Sequence, residues 1–239
     1  MLSTGATDDV VLEGLLDTIK QAGKDFWEKI KELIDMLLKK ISEWNKERKE
    51  NKQAKQHTAD IKKKRKQHER MGFPFYFSNG DYSPLRRMMD ECTEELVAYA
   101  NMASKGNVTK LDDKKKDVED AISEFQDKMT DRYKNPEMEY AQGSECAATI
   151  AAMRELPGDI IALCKQTLET IRKQLLSVEN TFTPSGRIKN NISDEQNSFI
   201  QTNIATFIAL VNDVITKARF DQNSLDQWIF LARELEYIK

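Results

Sequence analysis

Glycine and proline are scarce in this chain, nine and five among 239 residues, which leaves little material for the tight turns of an all-β fold. Histidine is scarcer still. His57 and His68 are the only two, eleven apart inside a run of charge, where solvated side chains are the ordinary outcome rather than a general base or a ligand. Cys92, Cys146 and Cys164 are an odd number at spacings that match no zinc motif, and they read as buried thiols. Also missing are a phosphate-binding glycine loop, the dinucleotide glycines, a zinc helix with paired histidines and a Gly-x-Ser-x-Gly elbow. The Glu-x-x-His pairs of di-iron bundles are absent as well. The expectation is a protein that is not an enzyme and carries no cofactor and no metal. No stretch approaches the roughly 20 uncharged apolar residues that span a bilayer. The start, with Asp8, Asp9 and Glu13, lacks the basic-then-apolar layout of a secretory signal, so synthesis in the cytoplasm is expected.

Lys, Glu, Asp, Leu, Ile and Ala fill the space those residues leave, and such helix-forming composition predicts an all-α fold. The first clear element is an amphipathic stripe. Leu12, Leu16, Ile19, Phe26, Ile30, Leu33 and Leu37 recur at the helical period, with Trp27, Ile34, Leu38, Ile41 and Trp44 widening the same face. Its polar face is balanced, six Lys against seven acids, which favours packing on protein over packing on lipid. Phe26, Trp27, Ile30, Leu33, Ile34, Leu37 and Trp44 are the candidate partner-binding side chains. An anionic membrane surface is the alternative partner, and self-association into an oligomer is left open.

Next comes a strongly basic segment. From Lys46 to Arg70 eleven Lys or Arg face four acids, a net +7, while the whole chain is −3 and the remainder therefore −10. Ile61 is the only large aliphatic residue before Met71, too little to hold the stretch against a core, so it reads as a solvated helix or a flexible tail. Such asymmetry marks a binding arm. Lys52, Lys55, Lys62, Lys63, Lys64, Arg65, Lys66 and Arg70 are the candidate nucleic-acid contacts. Neutralising phosphates requires only reachable positive charge and is blind to sequence, so duplex DNA is the expected ligand. No aromatic residue interleaves the run, which argues against stacking on single strands.

The rest reads as helices joined by short connections. Gly72 to Ser83, with Phe73, Phe75, Tyr76, Phe77 and Tyr82, is an aromatic loop, expected to cap a core or to plug into a partner. Ser83 and Pro84 start a helix with the seam Leu85, Met89, Cys92, Leu96, Tyr99 and Ala103. A second seam runs Leu111, Val118, Ile122, Phe125, Met129 and Tyr133 to Asn135-Pro136. A third, Ile161, Cys164, Leu168, Ile171, Leu175 and Val178, follows an Ala-rich stretch and a break at Pro157-Gly158. Ser193 with Gln196 forms a capping box for the seam Ile200, Ile204, Phe207, Val211, Val214 and Ala218. Ser224 with Gln227 reads as a second box opening a terminal helix through Leu225, Trp228, Ala232 and Leu235. Asp112-Asp113 and Asp90-Glu91 are placed in first helical turns, where negative charge suits the helix dipole. The expected architecture is an antiparallel helical bundle, preceded by a long N-terminal amphipathic helix and the basic arm.

Val11-Leu12-Glu13-Gly14 follows a short leader and precedes Leu15-Leu16-Asp17-Thr18-Ile19-Lys20. This resembles the start of the internal head proteins of large tailed bacteriophages, T-even-like and phiKZ-like, whose N-terminal capsid-targeting peptide is cut after a glutamate by the prohead protease. The resemblance covers about the first 45 residues. Val11 stands where Leu or Ile is commoner in that family. It implies processing at Glu13 and Gly14, packaging in the phage head with genome DNA and other virion proteins, and delivery to the host cytoplasm. The expected organisation is a targeting leader at 1–13, an amphipathic helix at 14–45, a basic arm at 46–71 and a helical bundle at 72–239.

Overall fold

A computed structural model describes residues 26–54, 71–77, 82–105, 110–142, 145–182 and 193–234. Among the described residues the chain is mostly helical, with six helices and a small antiparallel sheet of two strands. In chain order the elements are α1 (Phe26–Ala54), β1 (Met71–Phe75), α2 (Ser83–Ser104), α3 (Leu111–Asp131), β2 (Glu137–Ala141), α4 (Glu145–Met153), α5 (Leu156–Phe182) and α6 (Asp194–Glu234). The sheet corrects the all-α expectation. It arises inside the aromatic stretch that reads as a loop, because Met71 to Phe75 finds a partner far along the chain.

Two compact units are built from interleaved segments. One draws on Met1–Lys39, Arg87–Asp127 and Gln166–Asn212, the other on Lys40–Arg86, Lys128–Lys165 and Asp213–Lys239. In the first, the helical seams meet as their spacing requires: Leu33, Met89, Cys92, Leu96, Leu111, Val118, Phe125, Ile200, Ile204 and Val211 are fully buried. Aromatic rings add directional packing, with Phe125 tilted on Phe207 at 6.1 Å and Tyr99 on Phe199 at 5.1 Å. Asp35 of α1 meets Arg172 of α5 at 3.0 Å. The capping box at the start of α6 is formed: the Gln196 N–H donates to Ser193 Oγ and the Ser193 N–H to Gln196 Oε1, both at 3.1 Å.

The second unit holds the sheet. Its core joins Phe75, Ala141, Cys146, Ile150, Met153, Leu225, Trp228 and Ala232. A break between α4 and α5 falls where Pro157 was expected to place one; the proline stands in the first turn of α5, where its missing N–H matters least. The second capping box is overturned. Ser224 and Gln227 lie within the continuous helix α6, and Ser224 is buried. Asp112 and Asp113 do occupy the first turn of α3, whereas Asp90 and Glu91 lie well inside α2. By length and composition α6 is also apolar enough to cross a membrane, with a stretch of mean hydropathy 1.3. Its seam residues Ile200, Ile204, Phe207, Val211, Val214 and Ala218 are buried, while Ala209 and Leu210 are partly exposed.

Candidate functional site

The stripe residues expected to meet a partner are interior. Phe26, Trp27, Ile30, Leu33, Ile34, Leu37 and Trp44 are each between 0 and 7% exposed, because the rest of the chain covers the apolar face of α1. Burial of this kind supplies core stability and presents no surface to a partner. Phe26 and Trp27 meet edge to face at 5.3 Å.

The first nine residues of the basic segment, 46–54, belong to helix α1. Helix α1 continues to Ala54, so Lys52 lies on its last turns, and β1 begins at Met71. Residues 55–70 connect the two and lie outside the described residues. Lys55, Lys62, Lys63, Lys64, Arg65, Lys66 and Arg70 lie outside the described residues. So do Glu13 and Gly14.

The element that closes this span has well-defined chemistry. β1 pairs antiparallel with β2 in the register Met71↔Ala141, Gly72↔Tyr140, Phe73↔Glu139, Pro74↔Met138 and Phe75↔Glu137. Period-two alternation then sorts the side chains. Phe73 stacks on Trp228 at 5.5 Å and Phe75 tilts on the same indole at 6.0 Å, while Gly72, Pro74, Met138 and Tyr140 share the opposite face. Met138 and Tyr140 are each 47% exposed there. A Cβ on Gly72 would lie 2.5 Å from Cε1 of Tyr140 and 3.0 Å from Cε of Met138, so only glycine lets that ring lie across the strand.

Beyond β1 the chain is fastened to α6 by one carboxylate. The Tyr76 N–H donates to Asp221 Oδ1 at 2.7 Å and the Phe77 N–H to Asp221 Oδ2 at 2.8 Å. Asp221 is 1% exposed. The rings continue the attachment, Tyr76 edge-on to Phe220 at 5.2 Å and Phe77 tilted on Tyr133 at 5.0 Å. Lys217, one turn before Asp221, is paired with Asp213 and sits 5.5 Å from the Tyr76 ring. Burial pushes the Asp221 carboxyl up to about 7 from its ordinary 3.8, and the two N–H donors pull it down by less.

Aromatic residues of the 72–83 stretch therefore do cap a core, with Phe75 and Phe77 buried. Asp221 itself escaped the sequence reading. Its signal is visible in retrospect: Ala218, Asp221, Leu225 and Trp228 recur at 3-4-3 spacing, so a lone acid occupies an apolar seam.

The cysteines are free and buried. Burial, with Glu91 and Glu124 adding to it, pushes the Cys92 thiol up to about 12, and burial raises Cys146 and Cys164 too. None has thiolate character at neutral pH. Among the described residues no group of three or more His, Cys, Asp or Glu is placed to hold a metal ion. Comparison with protein-family models, curated proteins and solved structures gives no match.

Proposed function

We propose that this chain is a non-enzymatic internal protein of a bacteriophage head that binds duplex DNA without sequence preference through its basic segment. The observation that supports this reading is the charge partition: +7 within residues 46–70 against −10 elsewhere. A cationic segment of this density is attracted to phosphates, while an acidic remainder is repelled by them, so contact is confined to one part of the chain. Residues 55–70, which hold the densest block of that charge, connect α1 to β1. The Val11-Leu12-Glu13-Gly14 resemblance supplies the setting, with processing to a chain that begins at Gly14, packaging beside other virion proteins, and entry to the host cytoplasm with the genome. The bundle is read as antiparallel, and α1 belongs to its core.

A membrane-active helical effector is the alternative, and it requires the stripe of α1 to leave that core. Burial of its eight large side chains from Phe26 to Trp44 weighs against this.

DNA binding is tested by changing Lys62, Lys63, Lys64, Arg65 and Lys66 to Gln. Wild-type affinity should fall steeply and linearly on a log–log plot against salt and be indifferent to duplex sequence. Binding by the variant should be largely lost, with a helical circular dichroism spectrum like that of the wild type. Undiminished binding by the variant would remove the assignment. Mass spectrometry of protein from virions should find Gly14 at the terminus, and an intact Met1 or Leu2 there would remove the processing step alone.

A further inference from the structure

We propose that Asp221 and the Tyr76–Phe77 backbone form a pH-responsive clasp, closed when the carboxyl group carries a proton and opened as it ionises, so that proton release loosens the exit of β1 from α6. The geometry points to it in three steps. First, the side chain is sealed, 1% exposed in the middle of α6, and its two partners are backbone amides 144 and 145 residues away in sequence. The hydrogen bonding at this point is therefore long-range and made through one side chain, beside the ring contacts of Tyr76 with Phe220 and Lys217.

Second, no cation among the described residues is paired with Asp221. On α6 the charged residues nearest in sequence are Asp213, Lys217, Arg219 and Asp226; Lys217 is paired with Asp213, and Asp226 accepts from the Gln222 side-chain amide at 3.0 Å. The described part of the β1 segment, Met71 to Phe77, carries no charged side chain. Arg132, beside the Tyr133 that meets Phe77, has its guanidinium 5.6 Å from the Tyr133 ring. Glu137 and Glu139 of β2 add like charge only, and Asp81 lies outside the described residues. Two amide dipoles replace part of the hydration of an ion but supply no countercharge, so the closed site favours the neutral acid. The upward displacement of the Asp221 pKa, with burial as its larger cause, agrees with this.

Third, opening gives the carboxylate back to water, where it ionises at its ordinary value. Proton binding thus stabilises the closed form fully below about pH 4, and that stabilisation is lost as pH rises through about 7. The opposite sign, a carboxylate held ionised by its two N–H donors, would close the clasp with rising pH and is the competing outcome. Opening loosens the stretch that follows β1, while the ladder from Met71↔Ala141 to Phe75↔Glu137 and the packing of Phe73 and Phe75 on Trp228 still hold β1 itself.

Amide hydrogen exchange at Tyr76 and Phe77, measured in the full chain from pH 5 to 8 and corrected for base catalysis, tests the clasp. Protection should fall about tenfold per pH unit up to neutrality and then level off. The Asp221 carboxyl carbon, followed by NMR in the same samples, should titrate near neutrality. Asp221→Asn, which keeps the site neutral, should abolish the pH dependence of protection. If that variant does not fold, the wild-type carbon titration decides alone. An ordinary acidic midpoint, or protection that stays level or rises with pH, overturns the proposal.

Discussion

Gly72 shows how a single residue sets the ribbon. The ring of Tyr140 lies where a Cβ would be, at 2.5 and 2.6 Å from Cε1 and Cδ1. Gly72→Ala should therefore displace the ring and destabilise the protein by about 1–3 kcal/mol in urea denaturation, as overpacking does. In a Tyr140→Ala background the same change should be neutral or stabilising, since alanine loses less backbone entropy than glycine in a strand. Equal cost in the two backgrounds would show that the ring is not the cause. Neither this contact nor the Asp221 clasp was legible in the sequence, and for one reason. Each depends on a partner distant in the chain, and local spacing carries no information about which strand or loop arrives. The free buried thiols were legible, because a cysteine at a seam position among Leu, Met and Ala has a single physical fate.

At the level of elements, seams were the readable part. Leu85 to Ala103, Leu111 to Tyr133 and Ile200 to Ala218 are all buried where their 3-4 spacing placed them. The Ser193 cap was readable too, because its hydrogen bonds are local. The same pattern at Ser224 misled: Ser-x-x-Gln has no meaning inside a helix whose preceding turn is already formed. The stripe of α1 was correctly seen as apolar but could not reveal its cover, since a core face and a docking face have identical periodicity. Burial of Leu33 and Leu37 settles what each contributes. Leu33→Ala should cost about 2–5 kcal/mol, measured by chemical denaturation of the full chain. A surface kept free for a partner would lose almost nothing on the same change, so a value near zero would return the stripe to the docking reading.

Across the whole molecule the same burial decides whether residues from 72 onward suffice to fold. By seam counting alone they look self-sufficient, with apolar faces from Leu85 to Leu235. Helix α1 alters that conclusion. It contributes Phe26, Trp27, Ile30, Leu33, Ile34, Leu37, Ile41 and Trp44 to the interior, all at most 7% exposed. Taking them away uncovers the faces they seal and leaves a gap far larger than any side-chain truncation. A fragment beginning at residue 72 should keep much of its far-ultraviolet helical signal, lose its near-ultraviolet signal, bind a hydrophobic dye and melt without a sharp transition. Adding a peptide of residues 14–54 should restore a cooperative transition, because the uncovered faces and the stripe are complementary. A sharp calorimetric peak from the fragment alone would mean that α1 is a detachable layer over a finished core. The apolar stripe would then again be available to a membrane or a virion partner, and the case for confining the binding surface to the basic span would fail.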